Sequence, residues 1–340
     1  LYRDRLAKHA SVRSQGRGFD SIVAGDTRLL DRITQLRRLA AESGDRDAKG
    51  RPASGGAPAT LPILLSGGTG TGKELVARGF ASLQRPQAEF TAINCADISE
   101  ERTSAIAALF GTAKGVFTGV QRQEGLLAPA DGGTVFLDEV QALPIAAQEM
   151  LLTVTENQLL PAINGLPERR VNIQFILATN APSRLLEDLR NRAALVLELP
   201  RLEERRDVDY LLDFFIHVAT ESQETRIAGV DRDAAERLRS YRWPGNVRQL
   251  EHLAARLVRR SRWERSDGRI TREEVDAELA VEEVKLGGEE AYLVGAGQNG
   301  AETSIEALAR RWVRRILEGE RFCHLEILDS PELAADDRRA

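Results

Sequence analysis

The stretch Gly67-Gly68-Thr69-Gly70-Thr71-Gly72-Lys73 constrains this chain more than any other, because so many glycines before a lysine favour a tight, side-chain-free loop. It follows Leu61-Pro62-Ile63-Leu64-Leu65, the pattern of a buried strand, and leads into Leu75-Val76-Ala77-Arg78-Gly79-Phe80, the start of a helix. The spacing fits the G-x-x-x-x-G-K phosphate loop, and strand, loop and helix in that order are the context the motif requires. Glycines let successive N–H groups point into one concavity, and the following helix turns its positive end toward the same place. Lys73 adds a point charge for β- and γ-phosphates. A glycine turn with a chance lysine is the competing reading, and the flanking strand and helix disfavour it. The pattern predicts a nucleotide held by Gly67, Gly68, Thr69, Gly70, Thr71, Gly72, Lys73 and Glu74.

A second apolar run, Thr134-Val135-Phe136-Leu137, ends in Asp138 and Glu139. At the C-terminal end of a central strand, Asp138 can hold Mg2+ through its water shell, and Glu139 can polarise the water that attacks the γ-phosphate. A solvated pair of loop acids is the alternative, which the β-branched, apolar lead-in argues against. Together the two motifs imply ATP hydrolysis, catalysed chiefly by positioning and charge. One departure from the general loop stands out: Glu74 occupies the position that usually carries the Ser or Thr on the magnesium.

The rest of the chain sets bounds. With 340 residues it has length for one large core and a smaller unit. Residues 1–18 read as a linker and 19–200 as an α/β unit with strands alternating with crossover helices around a parallel sheet. A Gly-, Ala-, Ser- and Arg-rich insertion at about 42–60 interrupts that unit. Residues 201–280 are almost wholly helical in pattern, broken by Trp243-Pro244-Gly245. A glycine-rich linker at 281–303 leads to a basic amphipathic helix in 304–340, with Ile305, Leu308, Trp312 and Ile316 on one face. No apolar run approaches membrane-spanning length, so no membrane partner is expected. Only Cys95 and Cys323 occur, and Leu1-Tyr2-Arg3-Asp4-Arg5 has no signal-peptide pattern, which fits a reducing cytoplasm. The histidines show no metal spacing.

Several motifs carry a family resemblance. Gly115-Val116-Phe117-Thr118-Gly119-Val120 resembles the GAFTGA loop of the NtrC-like activators of sigma-54 RNA polymerase, and Leu109-Phe110-Gly111 resembles the stretch preceding it. Phe90-Thr91-Ala92-Ile93-Asn94-Cys95-Ala96 is similar to that family's F-V-A-V-N-C-A strand, and Trp243-Pro244-Gly245-Asn246-Val247-Arg248-Gln249-Leu250 to its WPGNVREL lid signature. The family's phosphate loop commonly ends in Lys-Glu, so Glu74 agrees with it. The resemblance implies an AAA+ three-layer sandwich with a parallel central sheet, followed by a small all-helical lid. It implies ATP and Mg2+, a hexameric or heptameric ring, and sigma-54 RNA polymerase holoenzyme as partner.

By motif, Asn94 is the switch that restrains the catalytic glutamate, and Asn180 the sensor of the γ-phosphate. Arg192 reaches the neighbouring subunit's site, Arg248 contacts the subunit's own nucleotide, and Gly115, Phe117, Thr118 and Gly119 engage the polymerase. Structural roles compete for three of these. Asn180 can cap a turn before Pro182, Arg248 can be a solvated helix charge, and Phe117 can tuck into the core. The chain also departs from the family. Val116 and Val120 replace both alanines of the loop, Leu186 replaces the first of two finger arginines with Arg190 as a candidate substitute, and Gly68 replaces a glutamate.

The leading expectation is an ATP-hydrolysing sigma-54 activator. A diverged ring ATPase with another target, and a nucleotide-gated interaction protein with little turnover, are the alternatives. Direct DNA binding stays open. Residues 304–317 resemble the first helix of a helix-turn-helix domain, but 322–340 supply neither its turn nor its recognition helix.

Overall fold

The computed structural model describes residues 26–43, 61–113, 123–163, 165–222, 227, 229–264 and 269–285. Residues 44–60 of the insertion expected at about 42–60, the GAFTGA-like residues Gly115, Phe117, Thr118 and Gly119, and the helix expected within 304–340 lie outside them, while 42–43 belong to the first helix. Among the described residues two compact units separate. One runs to Arg206 and includes Gly245–Val247; the other comprises Asp207–Pro244 and the residues from Arg248 onward.

The first unit begins with helix α1 (Thr27–Ser43), β1 (Ile63–Ser66), α2 (Lys73–Gln84) and β2 (Phe90–Asn94). A 3-10 turn (Cys95–Asp97), α3 (Arg102–Phe110), and the two-residue strands β3 (Gly111–Thr112) and β4 (Gln123–Glu124) follow. Next come β5 (Thr134–Asp138), a 3-10 turn (Val140–Ala142), α4 (Ile145–Asn157), and the short pair β6 (Leu159–Leu160) and β7 (Arg169–Arg170). The unit ends with β8 (Gln174–Thr179), α5 (Glu187–Asn191) and β9 (Leu195–Glu198). Five strands form one sheet in the order β2-β5-β8-β1-β9, and every pairing is parallel.

A parallel sheet needs helices on both faces, so its central strands read as continuous apolar runs, and alternate residues sort to two cores. Leu64, Val135, Leu137, Phe175 and Leu177 face Ile106 and Leu109 of α3 and Leu151 and Val154 of α4. Ile63, Leu65, Phe136, Ile176 and Ala178 face Leu29, Ile33 and Leu36 of α1 and Val76, Ala77 and Phe80 of α2. The result is the expected three-layer sandwich. Fully buried Phe136 stacks on Phe90 at 6.1 Å, and its truncation to alanine would cost about 3–5 kcal/mol.

Two devices hold α2 and α1 in place. The buried Arg85 guanidinium, just past α2, donates to Gly133 O at 2.8 Å, Asn172 O at 3.0 Å and Asn172 Oδ1 at 2.8 Å, tying the helix end to the segments entering β5 and β8. The Asp26 carboxylate accepts the Leu29 N–H at 3.1 Å and caps α1.

The second unit contains α6 (Val208–Ser222), β10 (Gly229–Val230), α7 (Arg232–Arg239), most of α8 (Asn246–Glu264), β11 (Arg269–Ile270) and α9 (Arg272–Lys285). Trp243 is buried, donates its indole N–H to Leu238 O at 3.0 Å and packs edge-on against Tyr241. Arg256 and Arg260 both reach Glu278, at 2.8 and 3.1 Å, joining α8 to α9. A reciprocal box of Thr271 and Glu274 opens α9. Two features differ from the sequence pattern: α9 continues to Lys285, and the two-residue parallel ladder β10–β11 is too short to show an alternation.

Candidate active site

The C-terminal ends of β5, β8 and β1 lie side by side, and each delivers predicted site residues there: Asp138 at the end of β5 with Glu139 after it, Asn180 after β8, and the glycine loop after β1. Ligands of open parallel sheets bind at this edge. Gly67 leaves β1 by donating its N–H to Thr179 O at 3.1 Å, which ties the loop to β8. Its φ of 150° and its contact with β9's exit require glycine, since a Cβ would lie 2.7 Å from Leu199 O. Gly72, at φ 97°, turns the chain into α2.

The loop is folded on itself. Buried Lys73 donates from Nζ to Gly67 O at 2.9 Å and Gly68 O at 3.1 Å, and Thr71 Oγ1 donates to Gly68 O at 2.9 Å. Glu74 is exposed and paired with Arg78, 2.8 Å away on the next turn. Its carboxylate therefore runs along the helix.

At the end of β5 the backbone is strained. Glu139 adopts φ 51°, in the left-handed region that costs a non-glycine residue about 1–3 kcal/mol. Its N–H donates to Asp138 Oδ1 at 2.9 Å, so one carboxylate oxygen of Asp138 fixes the turn that aims Glu139. Cys95 is fully buried beside both acids. Burial first, then the charges of Asp138 and Glu139, push its thiol up to about 12, and it stays neutral.

Asn94 stands opposite Asp138 in the β2–β5 register. Its Oδ1 accepts the Ala96 N–H at 3.2 Å, capping the 3-10 turn, and no side-chain hydrogen bond joins it to Glu139 among the described residues.

Asn180 does not cap the turn before Pro182: Thr179 Oγ1 accepts the Ala181 N–H there. Instead Asn180 Oδ1 accepts from Gln141 Nε2 at 2.9 Å, and Asn180 Nδ2 lies 3.5 Å from Thr69 Oγ1 in the glycine loop. Arg192 is mostly exposed, with Nε 2.6 Å from Glu156 Oε1. Leu186 is partly buried against the sheet's core and donates its N–H to Gln148 Oε1 at 3.0 Å. Arg190 is half-buried on α5, and Arg248 lies exposed in the first turn of α8, in the second unit.

Two residues without an assigned role join the site. Buried Asn246, at φ 51°, donates to Thr69 O at 2.9 Å and accepts the Leu202 N–H at 2.9 Å. Gly68 makes room for it, since a Cβ there would lie 3.1 Å from Asn246 Nδ2. Gln141 is the other. Asn246 opens α8 within the Trp243–Leu250 lid signature, whereas no pattern in the sequence marks Gln141. The GAFTGA-like residues are not described, but their roots are: β3 and β4 pair antiparallel, Gly111 with Glu124 and Thr112 with Gln123.

Asp138 offers one carboxylate at the C-terminal end of β5, a ligand type that magnesium takes. Among the described residues no group of three or more His, Cys, Asp or Glu could hold a metal by itself, whereas Mg2+ keeps several waters and takes one or two carboxylates plus substrate phosphates.

Comparison with known proteins agrees with this geometry. The sigma-54 interaction domain matches residues 46–202, and the AAA+ ATPase lid domain matches 203–290. The Psp operon transcriptional activator of Escherichia coli K12 is 39% identical over 216 residues, 60% of this chain and 66% of that protein. The DNA-binding transcriptional regulator NtrC of Azospirillum brasilense is 36% identical over 256 residues, 68% of this chain and 52% of that protein. The crystal structure of NtrX from Brucella abortus in complex with ATP aligns with a TM-score of 0.63 at 25% identity, over 87% of this chain and 61% of that one. The chain thus spans about half to two thirds of the length of these relatives. Through its sigma-54 interaction domain and the AAA+ lid that follows, the chain belongs to the family of NtrC-like sigma-54-dependent activators.

Proposed function

We propose that this protein hydrolyses ATP between the subunits of a ring and uses the cycle to remodel the sigma-54 RNA polymerase closed complex. The observation that carries the reading is the convergence of the glycine loop, Asp138, Glu139 and Asn180 at one edge of the parallel sheet. Lys73 exchanges its bonds to Gly67 O and Gly68 O for phosphate oxygens. Asp138 would hold a Mg2+ ion through its water shell, and the ion would supply positive charge to the phosphates. Glu139 polarises the attacking water from its strained turn, and Asn180 offers its amide N–H groups to the γ-phosphate. Arg192 serves the neighbouring subunit, Arg248 the subunit's own nucleotide, and Asn94 restrains Glu139 until the ring engages its target. Gly115, Phe117, Thr118 and Gly119 form the contact with sigma-54.

One observation favours a second reading, a ring ATPase with a different target. Leu186 is packed inward where the family places an arginine, which leaves Arg192 as the retained finger of the pair. Hydrolysis measured against protein concentration tests the shared chemistry. Activity should rise faster than linearly with protein concentration, Lys73→Ala should abolish nucleotide binding, and Glu139→Gln should keep binding while stopping turnover. Normal hydrolysis by both variants would remove the site assignment.

A further inference from the structure

Gln141 is a buried amide in the 3-10 turn that directly follows Glu139, between fully buried Val140 and half-buried Ala142. Its Nε2 donates to Asn180 Oδ1 at 2.9 Å, while its own Oε1 is buried with no hydrogen-bond partner. An orphaned buried acceptor lowers stability, and an apolar side chain of the same length would fill this space without that cost. The donated bond is what the glutamine adds.

That bond settles which way Asn180 faces. A carboxamide has a donating end and an accepting end, and the accepting end repels a phosphate oxygen. A donor at Asn180 Oδ1 turns Nδ2 to the opposite side, which is where Thr69 of the glycine loop stands, 3.5 Å away. That distance is at the limit for a hydrogen bond, so the Nδ2 protons are only weakly engaged.

We propose that Gln141 is a positioning residue that holds the Asn180 amide with its N–H groups toward the terminal phosphate, an inference that rests on the reading of this site as one for ATP. Gln141 touches no nucleotide itself. It links the turn carrying Glu139 to the residue that distinguishes ATP from ADP, so the same backbone segment places the water-polarising carboxylate and orients the phosphate sensor.

Binding titrations with ADP and with the β,γ-imido analogue of ATP test this without relying on turnover. Gln141→Met should leave ADP affinity within about twofold and weaken the analogue about tenfold, the size of one charge-assisted hydrogen bond. Gln141→Glu should weaken the analogue further, because an ionised carboxylate accepts from Asn180 Nδ2 and turns Oδ1 toward the phosphate. In an Asn180→Ala background Gln141→Met should leave the ratio of the two affinities unchanged. An unchanged ratio in Gln141→Met, or an equal drop with and without Asn180, would overturn the inference. ADP binding that survives Lys73→Ala would instead overturn the site reading on which it rests.

Discussion

Arg192 Nε lies 2.6 Å from Glu156 Oε1, in the last turn of α4, so the arginine proposed to serve a neighbouring subunit is held within its own. An exposed pair of this kind is worth at most about 1 kcal/mol, enough to bias the side chain but not to lock it. Glu156→Gln should therefore lower the protein concentration at half-maximal ATPase activity about two- to fivefold. Arg192→Ala should cost about 10³-fold in turnover. A concentration series of specific activity reads both, and a Glu156→Gln curve superimposed on that of the unaltered protein would show that the pair has no influence on the finger.

Glu139 is a glutamate where the backbone favours glycine, with φ 51°. Glu139→Gly should hold or raise stability, by up to about 1 kcal/mol, while abolishing hydrolysis. Thermal unfolding and ATPase assays on one preparation check the two halves. A clear loss of stability would mean that the glutamate side chain contributes more to the fold than its backbone costs.

Cys95 gives a pH prediction with a definite sign. Its thiol is raised from 9.0 to about 12 in the folded state, by burial and then by Asp138 and Glu139. The stability this neutral thiol contributes is complete below pH about 9 and is lost as pH rises toward about 12, because the unfolded chain releases the proton first. Cys323→Ser leaves Cys95 as the one thiol. At pH 8 it should resist alkylation in the folded protein and react readily in urea. Fast labelling of the folded protein would contradict its burial beside the two acids.

Asn246 makes two bonds of opposite polarity, and its variants separate them. Asn246→Asp keeps an acceptor for the Leu202 N–H but sets a carboxylate oxygen against Thr69 O. It should weaken nucleotide binding more than Asn246→Ala does. Asn246→Ala leaves a buried N–H unpaired and should lose about 1–3 kcal/mol of stability. Because the site is buried, that carboxylate costs stability as well, so nucleotide titration and thermal unfolding should both place Asn246→Asp below Asn246→Ala, and a milder effect of Asn246→Asp in both would show that the bond to Thr69 O contributes little.

The parts of the molecule that were legible in the sequence are those written in short-range pattern. Val135-Phe136-Leu137 is continuous because both faces of β5 are covered, and the glycines before Lys73 are dictated by the backbone of one loop. Gln141 with Asn180, and Asn246 with Thr69, pair across 39 and 177 residues, so no local period announces them. That Thr179 rather than Asn180 accepts the Ala181 N–H ahead of Pro182 is likewise invisible in the sequence. Leu186, a leucine where the resemblance implies an arginine, is partly buried and packs against the core of the sheet.

The central claim is that nucleotide state controls engagement of sigma-54, and co-elution tests it most directly. The chain is passed over a sizing column with purified sigma-54, alone, with ADP, and with an ADP–metal-fluoride mimic of the transition state. The account predicts a complex with the mimic only, lost in Thr118→Ala. Demonstrable ATP hydrolysis with no complex in any nucleotide state would contradict it, and would assign the same ATPase frame to a different target.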